Sequence, residues 1–134
     1  MSSPAEVVAK YLKDVGLSDA SWPVSVGAVP ATAKDNYLTV FDTGAEQDGR
    51  IQKTGERIQH PLVQIRVQAV NYPIGWAKGV AVQAALDGLH NRSVTINATV
   101  YTIKAATVYM PLVKIGQAEQ NARELFTINV RLTL

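Results

Sequence analysis

The stretch Leu62–Val70 constrains this chain more than any other. Val63, Ile65, Val67 and Ala69 occupy one parity, and Gln64, Arg66 and Gln68 the other. A period of two places the first set on one side of an extended strand and the second set on the opposite side. Only a sheet with a buried face satisfies that pattern. Asn71-Tyr72-Pro73 turns the chain, and Ile74–Leu89 then reads as a helix. Its apolar stripe runs through Ile74, Ala77, Ala81, Ala85 and Leu89, widened by Val82 and Leu86. Gly75 and Gly79 share a face and allow close approach of a neighbour. Gly88 or Asn91 ends the helix.

Upstream, Ser3-Pro4-Ala5-Glu6 carries the signature of a helix start, with Ser3 as cap, Pro4 in the first turn and Glu6 completing a capping box. Val7, Val8, Tyr11, Leu12 and Val15 make its stripe, and Gly16 stops it. Trp22-Pro23 breaks the chain. Val24, Val26 and Ala28 alternate as a short strand ending at Pro30. Ala31–Asn36 is a turn, and Tyr37–Asp42 is a second strand, with Leu38 and Val40 facing opposite to Tyr37, Thr39 and Phe41. Paired, the two would form a hairpin.

Thr43–Gln59 differs in kind. It combines Gly44, Gly49 and Gly55 with Glu46, Asp48, Arg50, Lys53, Glu56 and Arg57. A connection of this length in a small domain is uncommon and usually functional, so it is expected to be a protruding loop. Downstream, Val94–Asn97 opens another strand. The apolar phase changes at Val100-Tyr101, which calls for a turn or bulge. Met110–Gly116 contains Pro111 and suits an edge or return strand. Gln117–Arg123 is a polar turn. Phe126, Ile128, Val130, Leu132 and Leu134 then alternate with Thr127, Asn129, Arg131 and Thr133. The order α-β-β-β-α-β-β-β predicts an α+β fold: a mixed or antiparallel sheet of five to six strands with two helices on one face. The whole chain, 1–134, is expected to be one domain.

Composition narrows the function. The charged fraction of 18% is below the roughly 25–35% usual for a free-standing surface, which hints that other chains cover part of it. The basic residues never cluster, so tight nucleic-acid binding through phosphates is not expected. Cysteine is absent, excluding disulfides and thiolate metal sites. There is no apolar leader at the N-terminus and no membrane-length apolar run, so a cytoplasmic product is expected.

No catalytic set is visible. His60 and His90 have no second ligand at metal spacing and read as surface or cap histidines. Asp42, Glu46 and Asp48 lack the calcium-loop pattern, no Gly-rich phosphate loop is placed between strand and helix, and no Gly-x-Ser-x-Gly occurs. Asp14, Ser18 and Asp19 read as helix-end and turn residues. No enzyme and no cofactor are expected. The rows Gln64/Arg66/Gln68 and Thr127/Asn129/Arg131/Thr133 are polar without dense charge. They are either an ordinary solvent face or a face that meets a subunit or lines a channel, which amides, hydroxyls and Arg suit.

Val63-Gln64-Ile65-Arg66-Val67, then Tyr72, then Leu86-Asp87-Gly88-Leu89 resemble the corresponding segments of the tail-terminator and minor capsid (head–tail completion) proteins of long-tailed bacteriophages. The element order over the chain agrees with that family. The C-terminal half departs in the apolar Met110–Gly116. The resemblance implies a structural virion protein in the phage tail or neck, assembled in the host cytoplasm. It implies a ring, commonly a hexamer, that caps the tail tube and docks on the head connector, with DNA passing through the lumen without specific binding. Its partners would be itself, the tail tube protein and the connector protein, and no membrane. On this reading the contact residues are Gly44, Glu46, Asp48, Arg50, Lys53, Arg57, Gln64, Arg66, Gln68 and Arg131. The alternative is a small-molecule-binding or enzymatic α+β domain with a pocket between helices and sheet.

Overall fold

The computed structural model describes residues 2–28, 36–50, 57–117 and 123–134. The elements run α1 (Pro4–Asp14), β1 (Val24–Val26), β2 (Tyr37–Arg50), β3 (Arg57–Ala69), α2 (Tyr72–Leu86), β4 (His90–Ile96), β5 (Thr99–Gln117) and β6 (Glu124–Thr133). This is the predicted α+β order. Six strands make one mixed sheet, β1-β2-β3-β6-β5-β4.

The core lies where the alternation placed it. Val63, Ile65 and Val67 of β3 and Phe126, Ile128, Val130 and Leu132 of β6 are fully buried, each contributing on the order of 1.5–3 kcal/mol of transfer free energy. Register pairs Ile65 with Ile128 and Val63 with Val130. Ala5, Val7, Val8, Tyr11 and Leu12 of α1 and Val82 and Leu86 of α2 pack on that same face. The two helices meet where the Tyr11 hydroxyl donates to the Ala85 carbonyl, 3.0 Å. α1 touches both β1 and β4, the opposite ends of the sheet. With strands spaced about 4.8 Å apart, a flat sheet would keep those ends too far apart, so the sheet curls around α1.

Caps follow the sequence. The Ser3 hydroxyl accepts from the Glu6 amide, and Asn71 caps α2 by accepting from Ile74. Tyr72 and Pro73 therefore open α2 instead of preceding it. The turn at Val100-Tyr101 lies slightly earlier, at Asn97-Ala98, between the paired residues Ile96 and Thr99.

Several expectations are corrected. β1 and β2 pair in parallel, Val24 with Leu38 and Val26 with Val40. They do not form a hairpin, because the free edge of β2 accepts β1 in the same direction after a long connection. β1 ends at Val26, short of the expected end at Pro30; Pro30 and the expected Ala31–Asn36 turn lie outside the described residues, except for Asn36. The segment Thr43–Gln59 is not a loop through most of its length: β2 continues to Arg50 and β3 begins at Arg57, with Gly44 opposite Leu62 and Glu46 opposite His60. A register slip between Asp42 and Gly44 (φ +121°) absorbs the glycine without ending the ladder. Met110–Gly116 is the far half of β5, which stays paired to β6 through three register shifts. Pro111 falls within the second, between Met110 and Val113. Most of the Gln117–Arg123 turn lies outside the described residues.

The stripe assigned to α2 is also corrected. The buried face is Gly75, Gly79, Val82 and Leu86, whereas Ile74, Ala77 and Ala81 are exposed. The glycines are what let α2 approach. A β-carbon at Gly79 would stand 2.5 Å from Leu112 Cδ1, so a side chain of β5, not another backbone, occupies the space.

Candidate contact face and β-ribbon

The sheet turns its second face away from the helices. On it, β3 and β6 set Gln64 opposite Asn129 and Arg66 opposite Thr127, and β2 adds Thr39 beside Arg66 and Phe41 beside Gln64. The two polar rows seen in the sequence are thus one continuous surface. Its members are linked: Gln64 Nε2 donates to Asn129 Oδ1 at 3.3 Å, and Arg66 Nε donates to Gln64 Oε1 at 3.2 Å. The Arg66 guanidinium lies 5.0 Å from the Phe41 ring centroid, within cation–π range. Thr39, Gln68, Thr127 and Asn129 are all buried. An ordinary solvent face would leave them open, so this one is a tight polar layer. Phe41 had only its alternation with Leu38 and Val40 to mark it.

Arg131 stands opposite Leu62 on one side and Thr107 on the other, farther along the same face. Gln68 lies at the other end, opposite Tyr37 and Leu125. The structure therefore gathers Gln64 and Arg66 into one network and spreads Gln68 and Arg131 to its ends.

Gly44, Glu46, Asp48 and Arg50 fall on β2 and Arg57 on β3; Lys53 lies outside the described residues. β6 begins to pair with β3 only at Leu62. Before that point, 45–50 and 57–61 pair only with each other among the described residues. They form a two-stranded ribbon that outruns the sheet. His60 sits at its root. It is buried, not on the surface, and its Nδ1 lies 3.0 Å from Thr133 Oγ1. His90 is exposed, with Nδ1 3.3 Å from the Gly88 carbonyl.

The acidic residues have structural partners. Asp42 Oδ1 accepts from the Ala5 amide at 2.9 Å, a second cap on α1. Asp19 accepts from Ser21 and Trp22 amides, and Ser18 donates to the Trp22 carbonyl. Asp14 pairs with Lys10 one turn away. Among the described residues, no three His, Asp or Glu side chains come together as a metal site. The Tyr101 hydroxyl is held below its usual pKa by hydrogen bonding from Ser2, whose amide donates at 2.9 Å. Its ring is half-buried against the core. An open groove of about 380 Å³ runs along the flank of α2, lined by Trp22, Ile74, Ala77, Lys78 and Ala81. It does not lie between the helices and the sheet. Lys78 spends its ammonium on the Leu17 carbonyl and the Trp22 ring, so the groove lacks the convergent polar groups of a substrate pocket.

These features define a protein built to make contacts: a curled sheet with a tight polar face and a projecting ribbon. The family model of the bacteriophage tail terminator protein matches residues 11–134, and the chain belongs to that family. It is a structural family of virion tail components. No curated protein matches the chain.

Proposed function

We propose that this chain caps the phage tail tube, ends its growth and supplies the tail-side surface of the head–tail junction, as a ring of identical copies, six in the usual case. The ribbon carries this reading. A two-stranded hairpin with no third strand is marginal in water, and one kept beyond the sheet is best explained by a partner that completes it. The whole chain acts as one terminator domain assembled in the host cytoplasm. Glu46, Asp48, Arg50 and Arg57 on the ribbon, together with Lys53, would meet a neighbouring copy or the tube protein. The Gln64/Arg66/Gln68 and Arg131 face would line the lumen or the adjacent subunit. Amides and hydroxyls tied to each other offer DNA few free charges, which suits a duplex that must slide past without binding. The head connector protein would be met on the far side. The low charge content and the tail-terminator membership support the same reading over a metabolite-binding domain.

Deleting Gly44–Gly55 tests it. The expected outcome is a retained cooperative melt, with loss of ring assembly and of completed tails in electron micrographs. A shortened chain that terminates tails of normal length would sink the assignment.

A further inference from the structure

α2 is the less amphipathic of the two helices. Lys78 is its one charged residue. Gly75, Gly79, Val82 and Leu86 are buried against the sheet, while Tyr72, Ile74, Trp76 and Val80 remain 39–47% exposed. A helix that is apolar all round is normally covered on both sides. Its outer aromatics are also fixed in place: Tyr72 and Trp76 stack in parallel at 5.9 Å, and both rest edgewise on Phe126.

A second apolar patch lies on β5. Register puts Met110 opposite Asn129 and Val113 opposite Thr127, so both belong to the face turned away from the helices. They are 51% and 48% exposed, and Tyr109 and Ile115 at the adjoining register shifts are similarly open. Beyond Ala105, β5 has no strand on its outer side among the described residues.

The two patches sit on opposite faces of one sheet. A two-fold contact pairs a patch with itself and would leave the other bare; a head-to-tail contact pairs two different patches and repeats. Each patch exposes roughly 350 Å² on the scale of 150–250 Å² for a whole aromatic side chain. Joined, they supply about 700 Å², most of the nonpolar part of a standard interface. We infer that the outer face of α2 in one copy seats on the Met110/Val113 patch of the next copy. This inference rests on the ring reading above and names the surfaces that close the ring.

The chain has no cysteine, so a Val80→Cys/Val113→Cys double variant is a clean probe, in solution or on tails prepared without this protein. Oxidation is expected to give a ladder of cross-linked multimers up to the full ring, and each single cysteine variant none. In parallel, Val80→Arg and Val113→Arg should each keep the fold but fail to assemble. For a chain that assembles in solution, their equimolar mixture should give a one-to-one dimer by light scattering, because one intact junction remains. Rings that form, as fixed by glutaraldehyde, without the disulfide ladder would overturn these surfaces and leave the ring standing. Val80→Arg rings that form normally but fail to complete tails would assign the α2 face to another tail protein. A wild-type chain that never self-associates, alone or on tails, would overturn the ring reading itself.

Discussion

Gly75 lies directly against the Phe126 ring. A β-carbon added there would overlap that ring and stand 2.9 Å from the Ala69 β-carbon. Phe126 is fully buried and pinned by Tyr72 and Trp76, so it cannot swing aside. Alanine would ordinarily favour a helix over glycine by about 1 kcal/mol. Overpacking costs about 1–3 kcal/mol and should win. Gly75→Ala is therefore expected to destabilise the chain, read as a lower urea midpoint. Gly79→Ala should cost less, since it meets the ends of the half-buried, flexible Leu112 side chain.

The β4–β5 turn contains the opposite opportunity. Asn97 and Ala98 both have positive φ, +48° and +66°, as a two-residue hairpin turn of the primed type requires. Asparagine tolerates this and alanine does not. Ala98→Gly should stabilise by roughly 1 kcal/mol, seen as a higher melting temperature. No change would mean that the turn relaxes away from this geometry.

Asp42 joins the sheet to the start of α1. Removing the cap with Asp42→Ala should cost about 0.5–2 kcal/mol, while Asp42→Asn should keep most of the stability. Equilibrium urea unfolding separates the two variants.

The outer edge of β5 is plugged by the end of α2. Asp87 Oδ1 accepts from the Val108 amide at 3.2 Å, and Gln83 Oε1 accepts from the Leu112 amide at 2.9 Å. Ala106 exchanges backbone bonds with Leu89 and Gly88. Bare edges invite strand addition. Asp87→Ala with Gln83→Ala should speed hydrogen exchange at Val108 and Leu112 and promote aggregation on heating, measured by exchange mass spectrometry and turbidity.

The sequence alone determined the order of all eight elements, the buried parity of β3 and β6, and the cap at Ser3. These are set by local periodicity and backbone chemistry, which need no distant partner. Three matters were decided only by the tertiary structure. α2 is apolar on every side, so its periodicity could not say whether Ile74 or Gly75 turns inward; the shape of Phe126 and Leu112 selected the glycines. The polar, glycine-rich Thr43–Gln59 has no strand signature of its own, and its described parts, 43–50 and 57–59, are extended because β2 and β3 pair backbone to backbone along them. Gln64 and Asn129 stand 65 residues apart in the chain, and only the β3–β6 register brings their amides together. The polar parity was legible, but its closure into one layer depends on a long-range pairing that no local pattern encodes.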